Sequence, residues 1–478
     1  MNKAFPILEK SIFNRDIYRS ITLVICLLYF MPSTLNITNF PMKVAFIWGV
    51  LIVLYEFFIR RTLFKMRYAS LLILAILSFC ITVVLNRSYF LIPSIYNLGY
   101  LLISLVVIFP SDDTQTTETK KSKIYNFNLI FIFVVFTAAT VSIIQFLLLI
   151  SYHVPTGTPG LLARQGFLEH RLFGIYTSPN VGAIFGYCSI ILSLLNVFFK
   201  KMSKPMTLFL ISNFIIQILY LIISSSRGGQ LVILSFLILF VLLFLIPKFR
   251  DNFSDVVKIN NKWTIGITVL LLLLLSIGSS CAKNLLSIVP TVIDKEIAAV
   301  DKKDKEVIDQ EKVVLEHSPE DAELSAGRFT IWKAAIKSVE QSPVFGFGET
   351  DFYGNSDGTF LNNKKLTTLD KNELKRAHGN MHNGYLQVLV SSGIVGFFSI
   401  YIFYAFNVLS LLKQFFVAKR FQKKSDFLIL GIILIFMITL FVDEMVEAHL
   451  LFNKRDVISI IFWYYLGYLS SLYLKKEN

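Results

Sequence analysis

An all-α polytopic membrane protein with about twelve transmembrane helices is the fold class this sequence predicts, and three observations lead to it. Of its 478 residues, 55% are hydrophobic and only 16% charged, too few charges to clothe a soluble surface of that size. Apolar windows long enough to cross a bilayer, about 17 to 25 residues, recur along most of the chain. The basic residues between the windows alternate between rich and poor, the pattern that orients helices in a membrane.

Taken in order, the windows fall at 19–34, 43–59, 69–86, 91–109, 126–152, 180–199, 207–224, 229–246, 263–280, 384–411, 426–442 and 457–473. The first follows the basic lead MNKAFPILEKSIFNRDIYRS and has no small-residue cleavage site after it, so it reads as an uncleaved span. With the N-terminus in the cytoplasm, the inner segments hold 25 Lys and Arg against 7 in the short outer loops. Both termini are therefore expected inside. The other 14 sit in one long outer segment, and long loops are exempt from the rule. The expected organisation is nine helices in 1–280, a large extracytoplasmic loop at 281–383, and helices ten to twelve in 384–478. The net charge of +14 follows from this topology, and no nucleic-acid partner is implied. Cys26, Cys80, Cys188 and Cys281 lie in or beside apolar windows and suggest packing, not a disulfide framework or a metal site.

The outer loop opens with a charged arm, 294–323, which reads as a solvated helix or extension. After it comes SAGRFTIWKAAIKSVEQSPVFGFG, where Ile331, Trp332, Ala335, Ile336 and Val339 keep helical spacing until Pro343 and the glycines. This predicts an amphipathic helix at the membrane surface. Arg328 falls in its first turn, where its charge adds to unpaired backbone N–H groups and makes an anion site.

This topology puts all six histidines on the outer side. The span centres hold Gln145, Asn213, Gln217 and Asn407, not the acids or histidines that an ion-coupled transporter buries there. The short outer turn SSSRGGQ, 224–230, fixes Arg227 at the interface beside Gly228 and Gly229. A lone interfacial arginine commonly snorkels, but Arg227 and Arg328 together could clamp a diphosphate in fork geometry. His382 stands just before the tenth window, where the positive end of the helix disfavours imidazolium. A neutral imidazole there suits a general base. His378 is four residues earlier, but Gly379 and Asn380 interrupt the helix and the HExxH acid is missing, so no metal site is expected. The outer segment DEMVEAHLLFNKRD groups Asp443, Glu444, Glu447 and His449. It could bind a divalent ion, orient sugar hydroxyls or cap helices.

Four stretches, RLFGIYTSPNVGA (171–183), SSSRGGQ (224–230), GRFTIWKAAIKSVEQSPVFGFG (327–348) and HNGYLQVLVSSGIVG (382–396), taken in that order with the large loop before the histidine, resemble the O-antigen ligase and polymerase superfamily of bacterial envelope glycosyltransferases. The resemblance covers roughly 160 to 410. It implies transfer of a glycan from undecaprenyl diphosphate on the outer face of the cytoplasmic membrane, without a nucleotide sugar, a cofactor or an essential metal. It implies Arg227 and Arg328 as diphosphate-binding residues and His382 as the residue that activates the acceptor hydroxyl. Arg171, Glu447 and His449 are candidates for further substrate contacts. The expected partners are an undecaprenyl-diphosphate-linked oligosaccharide donor, a glycan or lipid-linked acceptor, the bilayer and a chain-length regulator. Polymerase is favoured slightly, because no separate acceptor domain is recognisable. The alternative is a ligase acting on lipid A core, protein or a wall acceptor. The rival from another class, a polysaccharide flippase or other twelve-span transporter, is disfavoured by the absence of two similar halves in the sequence.

Overall fold

Eight helices among the described residues are long and apolar enough to cross a membrane, the first Pro32–Arg60 and the last Lys424–Asp443. Ala69–Leu85 and Val457–Tyr473 are apolar but shorter, and Arg15–Tyr29 covers the first expected window. The structure is a computed structural model and describes residues 9, 11–111, 115–156, 162–258, 263, 266, 269–270, 278–301, 313–315, 327–354, 356–362, 364–417, 423–453 and 455–474. Eleven of the twelve expected windows coincide with a helix, while the ninth, 263–280, lies largely outside the described residues, as does most of the charged arm. The protein is a helical, multi-pass membrane protein.

The principal helices are α1 (Arg15–Tyr29), α2 (Leu35–Tyr55), α3 (Ala69–Leu85), α4 (Arg87–Leu102), α5 (Thr117–Leu147), α6 (Pro179–Phe199), α7 (Lys204–Ser224) and α8 (Arg227–Phe244). They continue with α9 (Pro247–Val257), α10 (Gly278–Asp301), α11 (Arg328–Val339), α12 (Thr368–Ala377), α13 (Gly384–Val417), α14 (Lys424–Asp443) and α15 (Val457–Tyr473). Helix starts follow local chemistry. Ser178, with Pro179 at the first turn, accepts from Val181 N–H at the head of α6, and Thr367 and Asp370 form a reciprocal capping box on α12. Helices α6, α14 and α15 are apolar all round and bury nearly every side chain, so they form the centre of the bundle. By contrast α2 and α4 turn Ile37, Phe40, Ile47 and Ile92 outward, as lipid-facing helices do.

Polar residues within the spans bond to one another, some within a helix and some across helices. Gln217 Nε2 donates to Asn213 Oδ1 at 3.0 Å, and Asn213 Nδ2 donates to Ser193 Oγ at 3.0 Å. At a third point Asn128 Nδ2 donates to Asn196 Oδ1 at 2.8 Å while Tyr465 donates to Asn128 Oδ1 at 2.7 Å, tying α5, α6 and α15 together.

Two local features differ from the sequence reading. Helix α5 runs Thr117–Leu147, not 126–152, and the residues after it form an antiparallel sheet of β1 (Ser151–Pro155), β2 (Leu162–Leu168) and β3 (Arg171–Gly174) in the order β1-β2-β3. Strands this short carry no periodicity that separates them from the apolar helix before them. In α11 the buried residues are Ile331, Ala334, Ala335, Ser338 and Val339, whereas Ile336 and Phe329 are exposed. The helix packs its small face inward and presents large apolar residues outward.

The segment after α11 explains two glycines. Helix α13 is broken at Gly393, whose φ of 63° and ψ of −170° belong to a region open only to glycine. Into the break comes the backbone of 343–348: Phe347 N–H donates to Val390 O at 2.9 Å, Gly348 N–H to Ser391 O at 2.8 Å, and Ile394 N–H to Pro343 O at 2.8 Å. A Cβ on Gly346 would stand 2.6 Å from Gly393 N and Val390 O, and one on Gly393 would land on the backbone of Val344 and Phe345. The partner of Gly393 is thus the backbone of 343–348. Gly393→Ala is expected to destabilise the protein by about 1–3 kcal/mol from backbone conformation alone, with the clash in addition. Gly228→Ala, where an added Cβ meets nothing within 4 Å, should leave the melting temperature in detergent unchanged. Equal melting temperatures for the two variants would refute the account.

Candidate functional site

Six pieces of chain converge at one end of the bundle. They are β3, the heads of α6, α8 and α11, the turn before α13, and the loop between α14 and α15. Their meeting point is Glu447. Its Oε1 accepts from Arg328 Nη2 at 2.5 Å and from Asn180 Nδ2 at 3.1 Å, and its Oε2 lies 3.0 Å from His382 Nδ1. Asn180 Oδ1 in turn accepts from Ser226 Oγ at 2.9 Å and Arg171 Nη2 at 3.4 Å. Arg171 Nε also donates to Ser224 O at 3.2 Å. One carboxylate and one amide thus tie together residues separated by more than 200 positions in the chain.

Local structure sets each side chain. Arg328 is the first residue of α11, after Gly327 at φ 78°. Ser226 caps α8 by accepting from Gly229 N–H at 3.1 Å, which fixes Arg227, exposed, on the first turn. Gly229 packs on Ala183, so only Gly228 leaves the backbone open. His382 lies two residues before α13 in a left-handed conformation, φ 45°. Its N–H donates to Asn380 Oδ1 at 2.9 Å, and Trp332 Nε1 donates to Met381 O at 3.1 Å and His382 O at 3.2 Å. A strained non-glycine residue held from two sides is a frequent mark of a functional position. His378, also left-handed, ends α12 and takes no part in these contacts.

The loop that presents Glu447 is itself clamped. Gly384 N–H donates to Glu444 O at 2.7 Å and Glu447 O at 3.0 Å, and Glu444 Oε1 accepts from His449 N–H at 2.7 Å and Leu450 N–H at 3.0 Å. His449 is 8% exposed, with Nδ1 2.8 Å from Asp456 and Nε2 3.3 Å from Asp443. Both ring nitrogens face acids of the protein, so His449 supports the loop.

Electrostatics follow from these contacts. Burial opposes ionisation of Glu447, but the hydrogen bond and charge of His382 and the charge of Arg328 outweigh it and hold the carboxyl down at about 2. Burial pushes the Glu444 carboxyl up to about 8. For His449 burial opposes the charge, but Asp456, Asp443 and Glu444 raise it well above the ordinary range. In the neutral tautomer whose Nδ1–H donates to Glu447, Nε2 is the ring nitrogen with the lone pair. The site combines a carboxylate-oriented imidazole, a guanidinium anchored by the same carboxylate, and two further arginines on adjoining elements. Such a set can bind an anionic leaving group and take a proton from a hydroxyl.

Of the residues singled out from sequence, Arg328, His382 and Glu447 are in direct contact, and Arg171 joins them through Asn180. Arg227 follows Ser226, which is bonded to Asn180. Asn180 and Ser226 were not singled out, although each lies inside a quoted stretch, and Trp332 was read only as part of an apolar helix face. The signal for Asn180 was an amide at a helix head within SPN, which reads equally well as a turn residue. Residues 212–401 match the family model described as O-antigen ligase. No curated protein matches the chain.

Proposed function

We propose, from the premise that residues 212–401 carry the signature of the O-antigen ligase family, that this protein is a metal-independent membrane glycosyltransferase. It extends a surface polysaccharide of the O-antigen or capsule type from an undecaprenyl-diphosphate-linked donor. The observation that carries this reading is the convergence of Arg328, His382 and Asn180 on Glu447. In the proposed step the acceptor hydroxyl attacks the anomeric carbon of the donor sugar. The bond from that carbon to the diphosphate oxygen breaks, and undecaprenyl diphosphate leaves with the electron pair. The hydroxyl proton passes to His382 Nε2. Arg227 and Arg328 stabilise the charge that develops on the diphosphate, and the attack inverts the anomeric centre. Glu447 acts by orienting His382 and anchoring Arg328, and Arg171 adds positive charge to the same group through Asn180.

The basic-residue bias supports a placement in the bacterial cytoplasmic membrane with both termini inside and this site on the outer face. The loop 281–383 then lies outside with the site, where a chain-length regulator could reach it. A ligase would use the same donor site with a different acceptor. The test is purified protein in proteoliposomes with a lipid-linked repeat unit. Polymer of more than one repeat supports a polymerase. Transfer only when lipid A core or another acceptor is added supports a ligase. Movement of the donor across the bilayer without a new glycosidic bond would defeat both and favour a transporter.

A further inference from the structure

Asn180 is the second residue of α6, where Ser178 and Pro179 set the helix head. From there its amide reaches several elements at once. Oδ1 accepts from Ser226 Oγ at 2.9 Å and from Arg171 Nη2 at 3.4 Å, while Nδ2 donates to Glu447 Oε1 at 3.1 Å. The neighbours allow only this orientation of the amide. A guanidinium can only donate, so it faces the oxygen, and an ionised carboxylate can only accept, so it faces the nitrogen.

Both donors to Oδ1 are themselves fastened. Ser226 Oγ accepts from Gly229 N–H at 3.1 Å at the head of α8, and Arg171 Nε donates to Ser224 O at 3.2 Å. An unbroken run of hydrogen bonds therefore leads from the turn that carries Arg227, through Asn180 and Glu447, to His382, whose Nδ1 is 3.0 Å from Oε2. Glu447 Oε1 has a second partner in Arg328 Nη2, at 2.5 Å. The proposed reaction asks different things of these two partners. A guanidinium that turns toward a diphosphate gives up part of its hold on the carboxylate, because its N–H groups point in fixed directions. The amide is neutral and tied at its other end, so its bond to Oε1 does not compete with the donor.

We infer that Asn180 is the positioning residue that keeps Glu447 in register while Arg328 engages the diphosphate, coupling the turn that carries Arg227 to the imidazole of His382. The inference rests on the reading of His382 as the base and Arg328 as a diphosphate contact. Held by Asn180, Glu447 keeps Oε2 on Nδ1, so Nε2 stays turned to the acceptor hydroxyl of the proposed step. The carboxylate then balances the imidazolium that proton transfer creates. The residue type suits this task. Aspartate would set a second carboxylate against Glu447, leucine would fill the space with neither bond, and glutamine would carry its amide one methylene further.

The test uses the full chain in proteoliposomes with an undecaprenyl-diphosphate-linked repeat unit. It reads kcat and KM for Asn180→Leu, Glu447→Gln, the two combined, Ser226→Ala and His382→Ala. Asn180→Leu keeps the volume and is expected to lose about a hundredfold in kcat, as a misplaced reacting group does, with KM for the donor unchanged. In the Glu447→Gln background the same substitution should cost little more, since both act through one carboxylate. Ser226→Ala leaves the amide and removes one of its anchors, so a severalfold loss of kcat is expected, and it carries the test where Asn180→Leu does not fold. Three results would overturn the inference: wild-type kcat in both variants, a rise in KM with kcat unchanged, or a loss in Asn180→Leu that multiplies fully with that of Glu447→Gln. Any of these with an inactive His382→Ala leaves the proposed function standing. A fully active His382→Ala overturns the reading of the base, and the inference with it.

Discussion

Arg328→Ala is expected to abolish chain extension while leaving the protein folded in detergent. The guanidinium has two tasks in the proposed mechanism, and one substitution removes both. It stabilises charge on the departing diphosphate, an effect of about 10²–10³ in rate for a well-placed donor. It also anchors Glu447, with Nη2 2.5 Å from Oε1, and its removal leaves a nearly buried carboxylate with one partner fewer. Breaking this half-buried pair from one side weakens the loop that positions His382. Arg328→Lys keeps the charge but not the fork, so partial rescue is expected to remain well below wild type. Arg227→Ala should also stop extension, through loss of donor binding, without moving the Glu447 loop. Wild-type glycan lengths in both alanine variants would sink the clamp assignment.

His382→Ala carries the second large effect. A general base contributes about 10²–10⁴-fold, and that loss should appear in kcat with donor binding retained. Glu447→Gln keeps the shape but exchanges the carboxylate for an amide, and its defect should be non-additive with that of His382→Ala because the two residues act as a unit. Full activity of His382→Ala would mean that the acceptor is deprotonated elsewhere or needs no base.

The pH dependence has a defined sign. Glu447 is held down at about 2, so its contribution to stability is fully present above the ordinary carboxylate range. That contribution is lost only as pH falls through about 2. His449 is raised, so its contribution is fully present below the ordinary imidazole value of about 6.5 and fades as pH rises through its elevated folded value. The loop should therefore loosen first on the alkaline side. Hydrogen exchange of 444–456 measured from pH 6 upward, corrected for the intrinsic pH dependence of exchange, checks this, and His449→Gln should weaken the dependence while Glu444, pushed up to about 8, keeps its own.

Much of the architecture was legible in the chain because a membrane span must satisfy its backbone internally and remain apolar over a fixed length. That constraint is local: eleven of the twelve windows coincide with a helix, and eight helices among the described residues are long and apolar enough to cross a membrane. The candidate arginines and His382 were also legible, since each lies beside a turn or helix head with its own chemistry. The strands at 151–174 were not, because a few residues of half-buried strand resemble the end of the helix before them.

The sequence by itself determined that this is a helical multi-pass membrane protein and which arginines and histidine to suspect. Only the tertiary structure decided that Glu447 joins them, that Asn180 bridges to Arg171 and Ser226, that His449 is a buried support, and that Gly393 opens α13 to receive 343–348. The physical reason is range. Length, hydropathy and charge bias act over one element at a time. A hydrogen bond between residues 180 and 447, or a backbone crossing at Gly346 and Gly393, exists only after distant elements have packed.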